Sequence, residues 1–397
     1  MAGRFFGWRV VAASFGLAMF AYGTGIYGVG VWLHAIVDQR GWSPAFVSAA
    51  ITLHFLTSAA IVSHLPRLYG RFGESAVTRA GLLAWALGCA AWAIADAPWR
   101  LLAAALVTGA ALSVTGGPAI NALIAPWFDR RRPAALAMAY NGASVGGMVF
   151  VPLWAGLIGL LGFAQAALIV GVSGLVLLWP LAGRYFGRTP GDLGLFPDGA
   201  PGPPAPRPAP QPAGPLWRQP RFRSLSGAVG LGTCAQVGLF AHLFSVMVPT
   251  LGPRGASLAL SAATVCAILS RTAVGWLLTP GMDRRRVAQA NLAAQAGGSL
   301  ALLLSDEGSA ILIVVGCLLF GLGIGNLLSL PPLIVQAEWP PAQVIAVVAA
   351  NAAVYQTFFA AASGLFGLAR GALGDWAVAA LALALQLAAA LLVTRRG

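Results

Sequence analysis

Arg271 has the most chemistry to offer in this 397-residue chain. It stands fourteen residues after Ser257 and eight before Thr279, in the middle of an apolar stretch. A guanidinium at the centre of a membrane helix costs about 2.5–3.5 kcal/mol on insertion scales, so it needs a compensating partner. The eleven acidic residues are Asp38, Glu74, Asp96, Asp129, Asp192, Asp198, Asp283, Asp306, Glu307, Glu338 and Asp375, and all map to loops or helix ends. A bound anion is then the remaining source of negative charge. A carboxylate suits it, because the guanidinium fork grips both oxygens. The competing use is structural: Arg271 braces backbone carbonyls of a broken helix, or reaches to an interface. Thr264, Ala267 and Gly275 share its face at spacings of seven and four. All are small, which suits a cavity wall and tight helix packing alike.

Softer candidates for substrate contact are the other polar residues within apolar stretches: Tyr22, Tyr27, Asn121, Tyr140, Asn141, Asn326, Tyr355 and Gln356. Each is equally a source of interhelical hydrogen bonds. His54 and His242 are candidates for proton coupling, since imidazole titrates near neutrality; a neutral, hydrogen-bonded imidazole is the alternative. Gly321-Leu322-Gly323-Ile324-Gly325 superficially suggests a nucleotide loop. It lies inside an apolar run without a preceding strand, so it reads as a packing surface. The chain carries no Walker A sequence, serine-hydrolase elbow or metal-ligand cluster. An enzyme is not expected, and neither is a cofactor or a bound metal.

These residues are carried by an extremely apolar chain. It is 58% hydrophobic and 9% charged, with a mean hydropathy of +0.80. An ordinary soluble domain is roughly 25% charged. A soluble fold of this length could not cover itself with polar surface, and disorder is excluded by the same figures. A membrane helix needs about 20 apolar residues, and twelve such stretches can be marked. They span about 8–36, 45–65, 77–95, 99–125, 134–160, 163–183, 223–250, 257–279, 286–305, 309–336, 342–368 and 373–394. The first is too long for a signal-peptide core and reads as an uncleaved helix. Gly and Pro interrupt many stretches, which neighbouring helices make tolerable in lipid. Cys89, Cys234, Cys266 and Cys317 all fall inside apolar stretches and read as small hydrophobes.

Between the sixth and seventh stretches, Pro197 to Pro220 holds ten prolines, which predicts an extended, poorly ordered linker. The division is therefore a six-helix bundle at 1–184, a linker at 185–222 and a second bundle at 223–397. The halves resemble each other. Arg40-Gly41-Trp42-Ser43-Pro44-Ala45 near helix two parallels Arg254-Gly255-Ala256-Ser257-Leu258-Ala259 near helix eight, at a shift of about 214. Trp127 and Trp339 pair at a similar shift. Repeated six-helix halves fit one large transporter architecture. All 24 basic residues are Arg. Nineteen fall on one side of the predicted topology and four (Arg40, Arg100, Arg254, Arg370) on the other, which places both termini in the cytoplasm. Arg271 is the remaining one. Arg spread between apolar runs speaks for topology and against nucleic-acid binding. The lack of Lys beside abundant Ala and Arg suggests a GC-rich bacterial genome.

The chain resembles the major facilitator superfamily, and within it the monocarboxylate-transporter-like branch near the oxalate/formate antiporters. The similarity is carried by Phe6-Gly7-Trp8-Arg9-Val10-Val11 and by Gly41-Trp42-Ser43. It is carried also by Trp127-Phe128-Asp129-Arg130-Arg131-Arg132 and by Pro190-Gly191-Asp192-Leu193-Gly194-Leu195-Phe196-Pro197-Asp198-Gly199. Arg271 with Gly275 resembles that branch's substrate-binding arginine in helix eight. The loop between helices two and three, with Arg67, Arg71 and Gly73, resembles the superfamily's gating loop. It departs by having Pro66 and Gly70 where a Gly and an Asp are usual. Ala267 stands where animal members have an acid, Ile26 where they have a lysine, and helix eleven carries no lysine.

The resemblance implies an all-α integral membrane fold, with twelve transmembrane helices in two six-helix pseudo-repeat bundles. It implies a secondary transporter that moves a small monocarboxylate or similar organic anion by alternating access, with proton symport as the usual coupling. An exchanger or facilitator without protons is the alternative, as is an exporter of other small molecules. The expected partners are the organic anion and the lipid bilayer, with no nucleic acid and no obligate protein. The expected location is a bacterial inner membrane.

Overall fold

The computed structural model describes residues 5–62, 64–129, 131–202, 215–278, 282–305, 309–327, 329–340 and 343–395. The expectations for Arg4, Arg130, Arg207, Asp306, Glu307 and Arg396, for the surroundings of Gly275, and for the middle of the proline segment fall outside these residues. Every regular element among the described residues is helical.

Helix one runs Gly7–Arg40, helix two Pro44–Val62, helix three Glu74–Ile94, helix four Pro98–Ile124, helix five Arg132–Leu161 and helix six Phe163–Tyr185. Helices seven and eight share the continuous run Pro220–Leu277, which bends at Gly252 with φ +66°. That backbone angle is cheap only for glycine. Pro249 and Pro253 flank the bend. The sequence reading left 251–256 as a loop; here Arg254 already begins helix eight. Helix nine is Arg284–Leu303, helix ten Ala310–Ile324 continued by Leu330–Glu338, helix eleven Val344–Leu373 and helix twelve Trp376–Val393. A short helix, Leu65–Phe72, connects helices two and three.

Three interruptions shape the interior. Helix one makes a π turn at Gly23–Tyr27. The Gly25 backbone presses on the Trp85 ring and that of Gly23 on Phe150, leaving no room for a Cβ at either position. Helix four ends at Thr115, passes through an extended Gly116, and restarts at Gly117 with Pro118 in its first turn. Helix ten stops at Ile324 and restarts at Leu330 with Pro331 in its first turn. Proline near a helix start is well placed, because its missing N–H would lack an intrahelical partner there. The two broken helices correspond in the repeat that Trp127 and Trp339 mark, 212 residues apart.

The chain groups into two compact units. The first is Met1–Arg40 with Leu53–Pro206; the second is Gly41–Thr52 with Arg207–Gly397. In the first, the helix-one start, the loop after helix four and the segment after helix six close over one another. Phe5, Phe6 and Trp8 pack on Trp127 and Phe128 at ring separations of 4.9–6.1 Å. Asp198 donates its N–H to the Trp127 carbonyl at 2.9 Å and accepts from the Arg131 N–H at 3.2 Å. The described start of the proline segment, 197–202, is thus folded down, with Asp198 in the left-handed region at φ +62°. Nearby, hydrogen bonds from the Thr189 N–H and hydroxyl hold the Asp192 carboxyl below the usual carboxylate range.

The second unit is closed at the corresponding end by Arg285, only 1% exposed. Its guanidinium donates to both Glu338 oxygens at 2.7 and 2.8 Å, to Ser224 Oγ, and to the carbonyls of Arg221, Val393 and Arg395. Helices seven, nine, ten and twelve are thereby tied at one point. The sequence reading took Arg285 only as a topology signal within an Arg triplet. Removing one partner from such a pair leaves a buried charge, at a cost of about 3–5 kcal/mol. Glu338→Gln and Arg285→Lys are both expected to lower the thermal unfolding midpoint of the purified protein. Lysine cannot reproduce the planar, many-armed contact.

Candidate functional site

The site in the second unit begins with glycine packing. Gly321, Gly323 and Gly325 set helix ten directly against its neighbours. A Cβ at Gly321 would lie 2.5 Å from the Ala263 carbonyl oxygen. One at Gly325 would overlap the Ala267 carbonyl and approach the Arg271 Cβ. The expected packing role of this stretch is what the structure shows. Ala267, buried at 1% exposure, meets Gly325 through its backbone carbonyl.

That close approach places Arg271 on the helix-ten break. Its Nε donates to the Gly325 carbonyl at 2.8 Å. One residue along on each helix, Asn326 donates its Nδ2 to Ser270 Oγ at 2.8 Å. Where a helix stops, its last carbonyls lose their partners, and in lipid each loss costs several kcal/mol. Here side chains add donors to the backbone N–H groups of Asn326 and Leu330, which reach the Gly323 and Asn326 carbonyls. Asn291 reaches the Gly323 carbonyl at 3.1 Å, and the Ser329 hydroxyl reaches those of Gly325 and Asn326 at 3.3 and 3.2 Å. Of the two uses foreseen for Arg271, the brace on a broken helix is thus realised, with Asn326 beside it. Asn326 is 1% exposed, and among the described residues its Oδ1 meets no donor.

A second polar cluster lies in the first unit, at the break in helix four. The Tyr140 hydroxyl and Asn121 Nδ2 donate to the Gly117 carbonyl at 2.9 and 3.2 Å, and Asn121 also donates to the Tyr140 oxygen at 2.8 Å. Tyr22 packs edge-on to Tyr140, 6.4 Å between ring centroids. Trp85 donates to Thr115 Oγ1 at 2.9 Å on the other side of the break. Tyr22, Asn121 and Tyr140 are therefore brought together, three helices meeting at one glycine. Tyr140 and Asn141 lie about two turns inside helix five. Asn141 is exposed and outside the cluster, and Tyr27 is partly buried at the end of the π turn. Tyr355 packs on the apolar core of the second unit, with Gln356 half-buried beside it.

Both histidines are buried. His54 Nδ1 lies 2.9 Å from Thr108 Oγ1, which also receives the Trp92 indole N–H at 3.0 Å. His242 Nε2 lies 3.3 Å from both Ser48 Oγ and the Ser363 carbonyl. Among the described residues the other ring nitrogen of His242 meets no hydrogen-bonding group. In the connecting helix, Arg67 and Arg71 point outward, Arg71 over the Phe72 ring at 5.2 Å, and Gly73 ends the helix at φ +79°. Tyr69 turns inward instead, and burial pushes its phenol above the usual range. Gln236, polar within the seventh apolar stretch, ends a polar chain inside the second unit whose other members have no signal in the sequence. Ser299 donates to Gln386, Gln386 to Gln295 and Gln295 to Gln236, at 2.7, 3.5 and 3.3 Å. Its glutamines are spread over three helices and carry no local pattern.

Among the described residues nine helices are long and apolar enough to cross a membrane, and with the family match that follows they make this a multi-pass membrane transporter and not an enzyme. The sequence matches the Major Facilitator Superfamily over residues 13–368, and the chain belongs to that family. Among solved structures it is similar to the nucleoside transporter NupG. That match has 13% identity and a TM-score of 0.71, covering 98% of this chain and 97% of that one. It is also similar to a bacterial homologue of the human lysosomal transporter Spinster, with 14% identity and a TM-score of 0.66, covering 97% and 93%. No curated protein matches the sequence.

Gly325→Ala is expected to force helix ten off helix eight and destabilise the protein by about 1–3 kcal/mol, the range for overpacking. Gly297→Ala in helix nine, where a Cβ meets nothing within 4 Å, should be neutral or stabilising. Thermal unfolding of the two variants side by side checks this.

Proposed function

We propose that the protein carries a small organic anion with a single negative charge, a monocarboxylate first of all, across a bacterial inner membrane by alternating access of its two halves. The observation that supports this most is Arg271: a guanidinium in the last two turns of the helix-eight run, seated on the break in helix ten. The resemblance of the chain to the monocarboxylate-transporter-like branch points the same way. One guanidinium balances one carboxylate. A dianion would leave an uncompensated charge in a low-dielectric site, at substantial cost.

The bond from Arg271 to Gly325 suggests how binding couples to motion. A carboxylate is a stronger acceptor for a guanidinium than an amide carbonyl. An arriving anion therefore draws Arg271 away from Gly325. The Gly325 carbonyl keeps the Ser329 hydroxyl as a donor, so the exchange does not strand it in lipid. Helix ten is then free to bend where it is already interrupted.

Proton symport is the coupling we favour, with His54 and His242 as the groups that carry the proton. Exchange or facilitated flux without protons is the second reading. It is favoured by the acidic residues, which among the described residues lie at helix ends and in loops.

In proteoliposomes, Arg271→Ala is expected to abolish uptake of a transported monocarboxylate, and Arg271→Lys to retain a small part. Uptake of the anion by Arg271→Ala at the wild-type rate would show that the assigned role is wrong. Under symport, flux should alkalinise the medium on the side the anion leaves and follow an imposed pH gradient. Flux indifferent to that gradient supports the second reading.

A further inference from the structure

Helices three and six run antiparallel in the first unit, with Ser75 against Gly187, Arg79 against Gly183 and Ala86 against Gly171. Where helix three begins and helix six ends, this packing builds a basic and aromatic notch. Arg79 crosses to helix six and lies on the Gly183 backbone, leaving no room for a Cβ there. Its Nε donates to the Trp179 carbonyl at 3.3 Å, and its guanidinium stands 5.1 Å from the Trp179 ring centroid. Trp179 is 40% exposed. One turn on, Arg184 lies over Tyr185 at 6.0 Å, and both Arg184 and Arg188 are exposed. Among the described residues no carboxylate pairs with Arg79 or Arg184. The neighbouring Asp192 is held by Thr189 at 2.7 and 2.9 Å.

The far end of helix three shows what the same chemistry looks like when neutralised. There Arg100 lies over Trp99 at 5.3 Å but is gripped by both oxygens of Asp96, at 2.7 and 2.9 Å. An arginine buttressed by an aromatic ring thus has its acid at one end of the helix and has none at the other.

We propose that Arg79, Arg184 and Trp179 form a seat for the headgroup of an anionic phospholipid. Tryptophan and tyrosine settle at headgroup depth. Basic pockets between membrane helices bind anionic headgroups, and a guanidinium fork suits a phosphate diester. Arg79 is held in place by helix six before a lipid arrives, so little side-chain freedom remains to be lost on binding.

The test is thermal unfolding of the full-length protein in micelles doped with phosphatidylglycerol, with phosphatidylcholine, or with inorganic phosphate alone. Phosphatidylglycerol should raise the wild-type midpoint by several degrees, and the other two should not. The Arg79→Gln/Arg184→Gln pair should lose most of that shift, and Arg100→Gln should keep it. An equal shift from phosphatidylcholine or from free phosphate would overturn the assignment, as would a double variant that keeps the full shift. Should that double variant not fold, native mass spectrometry of Trp179→Ala decides. Retained phosphatidylglycerol should fall at least several-fold below wild type, and unchanged retention overturns the proposal.

Discussion

A peptide carbonyl inside a bilayer has no water to turn to, and this constraint orders the rest of the molecule. Among the described residues helix four is interrupted at Gly116 and helix ten after Ile324, and a break leaves carbonyls that a continuous helix would have satisfied. The polar groups beside the two breaks differ. The carbonyl of Gly117, which opens the restarted part of helix four, takes neutral donors from Tyr140 and Asn121. At Gly325 one donor is a guanidinium. The charged solution is the more expensive one to build, and it alone offers an anion a full positive charge.

The same asymmetry recurs at the ends of the units. The first unit is closed by aromatic packing of Phe5, Phe6, Trp8, Trp127 and Phe128, the second by the buried Arg285–Glu338 pair. Duplicated halves keep their backbone plan while their side chains diverge. In the first unit the aromatic cluster gathers the helix-one opening, the loop after helix four and the segment after helix six. They sit far apart in sequence and together in space, so their common presence reflects one packed cap.

Much of this fold was legible in the sequence, because apolar runs of membrane length are hard to mistake and arginine marks the loops. Less visible were the breaks. Gly116, Pro118, Gly325 and Pro331 are residue types that membrane helices tolerate anywhere, so composition does not separate a kink from an interruption. Arg271 was legible as an anomaly, while its partner was not: the partner is a main-chain oxygen, and main-chain oxygens have no identity in a sequence. Arg285 was hidden among Arg284 and Arg286, with its acid 53 residues away. The clustering of Tyr22, Asn121 and Tyr140 follows from tertiary packing, which also left Asn141 outside.

The central claim is that Arg271 serves both helix ten and a single carboxylate. Ligand-induced stabilisation of the purified protein tests it most directly, with a panel of small monocarboxylates, their uncharged amides and the corresponding dicarboxylates. At least one monocarboxylate should raise the unfolding midpoint of the wild type, its amide should not, and Arg271→Gln should lose the response. A response to the amide equal to that of the acid would contradict the account, as would a full response in Arg271→Gln.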